Sequence, residues 1–118
     1  MRDALGAVCS GLCLIHCLAL PVLAATGTTF IGFAMLSSES THLWLCALMM
    51  VFALWAFPSG WRAHKCLWPG LLAIAAAVLV LLALFASEAE ETYWIASSLT
   101  LIGGHLMNRY LLRARASL

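Results

Sequence analysis

Charge is what this sequence has least of. Asp, Glu, Lys and Arg make up 9% of the 118 residues, against 64% hydrophobic. A globular domain carries about 25% charged residues, so six basic and five acidic side chains cannot cover a water-facing surface here. The solvent that suits such a surface is lipid. A net charge of +1 without any basic stripe excludes nucleic acid as a partner. Internal repeats, low-complexity tracts and linkers are missing too, which leaves a single membrane domain over 1–118.

The few charges fall into groups: Arg2 and Asp3, Glu39, Arg62 and Lys65, then Glu88, Glu90 and Glu91, and finally Arg109, Arg113 and Arg115. Between them run four nearly uncharged stretches: Ala4–Ser38, Ser40–Trp61, Cys66–Ser87 and Thr92–Asn108. A helical span needs roughly 20 apolar residues to cross about 30 Å of hydrocarbon. The pattern predicts an all-α membrane protein, a bundle of four transmembrane helices over approximately 4–36, 41–58, 68–87 and 92–112. Basic residues are absent from two loops and confined to the N-terminus, the middle loop and the C-terminal tail. Positive segments stay in the cytoplasm, so both termini are expected inside, with the chain multi-pass in its membrane. The rival reading of residues 1–25 is a secretory signal peptide. Asp3 beside Arg2, and a histidine with three cysteines in the apolar run, argue against it.

The spans differ in what they contain. Span one meets Pro21, which removes a backbone donor, and Gly27-Thr28-Thr29 is a second place where it can break. Its 35 uncharged residues exceed one crossing, so the helix is either kinked and tilted or turns back along the interface. Span two is expected to begin at a Ser40/Thr41 cap and to end at Pro58-Ser59-Gly60. Trp55, Trp61 and Trp68 cluster at that boundary as an aromatic belt. Span three, from Pro69 to Phe85, has no polar side chain and reads as a lipid-facing or packing helix. Span four carries Ser97, Ser98, Thr100, Gly103, Gly104, His105 and Asn108, small and polar residues that let membrane helices approach closely.

Cys9, Cys13, His16 and Cys17 carry the chemistry. Residues three and four apart share a helix face, so these four form one stripe about 18 Å into the span. Thiolate and imidazole suit soft and borderline metal ions. Cysteine alone in a membrane helix is ordinarily a packing residue. A histidine there is costly, however, and marks a site or a path. Two thiolates neutralise one divalent cation and release their protons on binding, and thiols stepped one turn apart can pass an ion along without stripping it bare. Candidate completing ligands are His42 with Cys46, four apart at the start of span two, and His105, three before Asn108. For His105 the alternative is an interhelical hydrogen bond. His64 and Cys66 are expected as solvated loop residues, with Cys66 able to accept a departing ion. Five cysteines leave one unpaired, and i,i+4 pairs rarely reach disulfide geometry, so reduced thiols are expected.

At Ser10-Gly11-Leu12-Cys13-Leu14-Ile15-His16-Cys17-Leu18-Ala19-Leu20-Pro21 the sequence resembles the MerC family of bacterial inner-membrane proteins. Asp3, His42-Leu43-Trp44-Leu45 and His105-Leu106-Met107-Asn108 extend the resemblance over nearly the whole chain. It implies a four-span transporter carrying mercuric ion inward, with Cys13 and Cys17 as ligands and His16 between them. Two departures from the family pattern stand out. His16 is added to the first-span site, and the tail after Arg109 has no cysteine. Histidine ligands widen the candidate ions to zinc or copper.

The resulting expectation is a membrane protein that binds and moves a thiophilic ion. Its partners are the lipid bilayer and the metal ion, with a metal-donor or acceptor protein as a further option; the oligomeric state stays open. Two other classes are kept beside it: a static metal or haem site between facing histidines, and a structural subunit docking through span three. An enzyme is not expected, because no polar cavity or third orienting group accompanies the Cys–His pair in the sequence.

Overall fold

A helix in lipid must satisfy its own backbone and turn apolar side chains outward, and the computed structural model does both. It describes residues 1–27, 32 and 38–118. Among these lie four α-helices and no strand: α1 (Arg2–Ala25), α2 (Glu39–His64), α3 (Trp68–Phe85) and α4 (Glu90–Ala116). At about 1.5 Å per residue, the 24 residues of α1 reach about 36 Å, enough to cross a bilayer. By length and composition α1, α2 and α3 qualify as membrane spans, and the protein is a multi-pass membrane protein. α4 is the longest, at 27 residues, but its polar side chains keep it outside that apolar class.

The helix ends differ from the sequence expectation in three places, the first being the start of α2, where Ser38 and not Ser40 or Thr41 holds the capping position. α1 runs through Pro21 and stops at Ala25; the Thr26 N–H and hydroxyl return to Val22 and Leu23 carbonyls at 3.0 Å each. Gly27 follows at φ +68°, as a break there requires. Thr28 and Thr29, and the expected run of span one to residue 36, lie outside the described residues except for Gly32. α2 does not end at Pro58-Ser59-Gly60. It continues six residues beyond Pro58 to His64, and Lys65 at φ 59° closes it, its N–H bonded to the Trp61 carbonyl at 2.8 Å. The Ser59 hydroxyl bonds back to Ala56 O at 2.8 Å and Trp55 O at 3.3 Å. A proline costs its helix one donor, and tertiary packing beyond it holds the last turns.

α1 shows the inverted amphipathicity of a lipid-facing helix. Leu5, Val8, Leu12, Ile15, Leu18 and Val22 are exposed, while its buried residues are Asp3, Gly6, Cys9, Ser10, Cys13 and Cys17. α4 answers with buried Ser97, Ser98, His105 and Asn108 among apolar Trp94 and Leu101. α4 packs most extensively on α3 and then on α1, and α1 also packs on α2. Small residues bring α3 close, with Ala76 and Ala83 buried. Contacts between Cys17 and His42 at one end, and an Asp3–Asn108–His64 chain at the other, make α1 antiparallel to both α2 and α4. Basic side chains cap aromatic rings at the Asp3 end: Arg2 lies 5.6 Å from the Trp55 ring and Lys65 5.4 Å from that of Trp61.

Two glycines permit the closest approaches. A Cβ at Gly6 would overlap the His105 ring, and one at Gly60 would overlap the Asn108 side chain. His105 cannot retreat, being fully buried and stacked on Phe57 with centroids 4.6 Å apart. Gly6→Ala is therefore expected to destabilise the protein by about 1–3 kcal/mol, the usual cost of overpacking. Gly103→Ala, where a Cβ meets open space, is expected to be neutral or stabilising by up to about 1 kcal/mol. Thermal unfolding midpoints in detergent read both, and equal midpoints for the two variants would contradict this packing.

Candidate metal site

The stripe on α1 faces inward. Cys13 is fully buried, Cys17 and Cys9 nearly so, and His16 half-buried at its edge. What the helix offers depends on what stands opposite. α2 begins with Ser38 just outside it, whose carbonyl accepts the Thr41 N–H at 3.0 Å and whose hydroxyl meets that of Thr41 at 3.0 Å. That start sets His42 facing α1. Its Nε2 lies 3.6 Å from the Cys17 Sγ, and its ring meets the edge of His16 at a centroid distance of 4.5 Å. Trp94 of α4 stacks on the other side of His42, with centroids 5.7 Å apart. Trp94 is itself fixed by an Nε1–H bond to Glu90 Oε1 at 3.0 Å.

His16, Cys17 and His42 thus each bring one ligand atom into a group whose atoms all lie within 4.8 Å of one another. Two imidazoles and a thiol are a donor set for zinc, copper or a softer ion. Cys13 stands one turn deeper on the same face and is fully buried. Cys46, one turn along α2 from His42, is buried in the same core cluster as Cys13. Three of the seven sequence candidates therefore converge where α1, α2 and α4 meet, with Cys13 and Cys46 buried one turn further along their helices. Pro21 adds to this place, because it removes the donor that would have met the Cys17 carbonyl. A cavity of about 540 Å³ opens beside the group, lined by Cys17 and His42 and by Glu88, Glu90 and Glu91. This cavity, with its three glutamates, was not legible from local spacing. It assembles from the turn before α4 and the first turn of that helix, where acidic residues also suit the helix dipole.

His105 lies elsewhere. It sits beside Asp3 and Gly6, and Asp3 is 14 residues, about 21 Å along the helix, from Cys17. The Asp3 Oδ1 accepts from Asn108 Nδ2 at 2.8 Å and from His105 Nδ1 at 3.3 Å. Asn108 Oδ1 in turn accepts a hydrogen bond from His64 Nε2–H at 2.8 Å, because His64 Nδ1 is already accepting the Cys66 N–H at 3.0 Å. His64 is thus not the solvated loop residue expected from its charged neighbours; it ends α2 and is buried. Sequence reading missed the role of Asp3 and His64, since neither spacing nor composition pairs residues 105 and 44 positions away from their partners on α4. Cys66 is half-buried, and all five cysteines are free.

The packing sets an order of thiol reactivity. A small maleimide added to the folded protein in detergent is expected to modify Cys66 first and Cys17, on the cavity wall, more slowly, with Cys9, Cys13 and Cys46 reacting only after denaturation. Mass spectrometry of the digest reads the order, and rapid modification of Cys13 in the native protein would contradict its burial.

No curated protein and no solved structure matches the chain. The family model described as MerC mercury resistance protein matches residues 3–110, from Asp3 at one end of the buried seam to just past Asn108, and the chain belongs to the MerC family.

Proposed function

We propose that this protein carries a thiophilic metal ion, with mercuric ion first among the candidates, inward across the bacterial inner membrane, and that it does so as a binding and transfer device rather than an enzyme. In this reading α4 is the fourth crossing: it lies antiparallel along α1 from Trp94 to Asn108, hides its polar residues against α1, and exposes Leu99, Leu106 and Met107. Both termini and the Arg62–Lys65 segment then face the cytoplasm, as their charge favours. The Glu88–Glu91 end with the cavity faces out.

The observation that carries the proposal is the convergence of His16, Cys17 and His42 beside an acidic cavity. Carboxylates at its mouth raise the local concentration of cations. The ion exchanges water for imidazole and sulfur at His42, His16 and Cys17, and Cys13 then offers a second sulfur one turn deeper. With both thiols deprotonated, a divalent ion forms a neutral complex, the form least costly to hold away from water. Cys46 offers a further sulfur at the same depth from α2. Zinc and copper fit the imidazole-rich entrance; the paired thiols behind it favour a softer ion. A haem between the histidines is disfavoured, because ring centroids 4.5 Å apart leave no room for a macrocycle.

Cells expressing the protein are expected to accumulate radioactive mercuric ion, and Cys13→Ser with Cys17→Ser to lower that uptake to the level of cells lacking the protein. The variant must be present in the membrane at wild-type amount, as read by immunoblot. Wild-type uptake by the double variant would refute the proposal.

A further inference from the structure

The seam between α1 and α4 continues past Cys13, and a second donor pair lies on it. His105 is fully buried, and its Nε2 has no hydrogen-bond partner. Leaving a buried polar atom unsatisfied costs on the order of 1–3 kcal/mol, so its persistence calls for a reason. Its other nitrogen is well provided for: Nδ1 donates to Asp3 Oδ1 at 3.3 Å, and that carboxylate also takes the Asn108 amide. A carboxylate behind the imidazole is the arrangement that fixes a metal-binding histidine, holding the proton on one nitrogen and raising the basicity of the other. Phe57 stacked on its face and Gly6 against the ring lock its orientation.

Gly6 shows what packs beside the ring. A Cβ there would overlap Cε1 and Nε2 first and then Nδ1, so α1 at that turn lies against the imidazole, nearest the half of the ring that carries the orphan nitrogen. Cys9 is the next residue on the same face, buried at 8% exposure. Helical side chains lean toward the N-terminus of their helix and cover the preceding turn, which carries the Cys9 sulfur toward Gly6. Cys9 stands one turn from Cys13 and two from Cys17, about 12 Å in all.

We propose that Cys9 and His105 form a second, inner station for the same soft divalent cation, a thiolate–imidazole pair that takes the ion from Cys13. This rests on the transport reading above for the ion's origin, although binding at the pair is a separate property. On binding, the Cys9 thiol gives up its proton and the sulfur bonds the metal. His105 contributes the Nε2 lone pair and keeps the Nδ1 proton on Asp3. One thiolate and the Asp3 carboxylate together offset the two charges of the ion. A mixed sulfur–nitrogen pair holds a soft ion less firmly than two thiolates, which lets the ion leave toward the Asp3 end.

The test uses full-length protein in detergent, labelled with ¹⁵N at histidine and carrying Cys66→Ser to remove the half-buried loop thiol, titrated with mercuric chloride alone. The His105 Nε2 resonance is expected to move on metal addition, after the first equivalent has been taken up, while Nδ1 stays protonated. Cys9→Ser is expected to abolish that shift with the folded spectrum otherwise kept, and Asp3→Asn to weaken the response about 10–100-fold in metal concentration. A His105 resonance unmoved at saturation, or one that moves equally in Cys9→Ser, overturns the inner station. The Cys13→Ser, Cys17→Ser variant separates the two proposals. A His105 shift that persists there while uptake is unaffected keeps the station and refutes the transport role of the pair above it. Normal thiol-dependent uptake with a silent His105 refutes the station alone.

Discussion

A polar side chain in a bilayer has to find its partner inside the protein, because the lipid offers none. In this chain that constraint acts hardest on the contact between α1 and α4. The buried face of α1 consists of Asp3, Gly6, Cys9, Ser10, Cys13 and Cys17, and that of α4 includes Ser97, Ser98, His105 and Asn108. Between helices in lipid there is no hydrophobic gain from association, since the tails are as apolar as leucine; close packing and interhelical hydrogen bonds have to supply the adhesion. The same residues that make the seam chemically interesting are therefore those that hold it closed. α2 then joins at both ends, through His42 beside Cys17 and through His64 on Asn108. α3 mainly covers α4, with small residues inward and Leu, Ile and Val outward.

The two ends of the seam differ in how completely they are satisfied. At the Asp3 end nearly every donor meets an acceptor: backbone Cys66, His64, Asn108, Asp3 and His105 form one hydrogen-bonded chain that ties three helices together. At the His42 end sulfur and imidazole meet at 3.6 Å beside a cavity lined by three glutamates. A hydrogen-bonded network of N and O groups is rigid, whereas a thiol and two imidazoles beside a cavity form a donor set that suits a cation. The chemistry thus separates a clamp from a mouth, and the mouth is the end with acidic residues around it.

Much of this could be read along the chain. The scarcity and grouping of charge located all four helices, and the 3–4 spacing of Cys9, Cys13, His16 and Cys17 placed them on a common face because a single helix fixes that relation. His42 and Cys46 could be marked as candidates for the same reason. Relations between helices were not legible. That His42 meets Cys17, and that His105 turns instead to Asp3, depends on rotation of α2 and α4 about their axes, which no local spacing determines. Asp3 read as a flanking charge at the start of α1, and His64 as part of a basic loop; both belong to the interior because α2 runs past Pro58, carrying His64 down to Asn108. Proline stops a helix only where packing beyond it cannot offset one lost hydrogen bond, and here the Gly60 contact with Asn108 lies beyond it.

The order of donors along α1 has its own logic. A soft ion held by two thiolates in an apolar bundle is neutral and tightly bound, which is good for entry and poor for release. On the proposed inward route each later resting place must be reachable without passing through an unliganded ion, and release is easier where the last holds the ion less firmly than the first pair. From Cys17 the sequence of buried donors runs to Cys13, then to Cys9 with His105, one helical turn at each step along α1. Replacing a sulfur by a nitrogen at the far step loosens the hold on a soft metal, while the Asp3 carboxylate behind His105 keeps the local charge balanced so that the ion is not driven back. The residues nearest the exit then offer mainly hydrogen-bonded nitrogen and oxygen, which compete poorly for such an ion. On the proposed route, a descending series of ligand softness along one helix face eases release at the last step, while the ion's activity on the two sides sets the net direction, since each exchange is reversible.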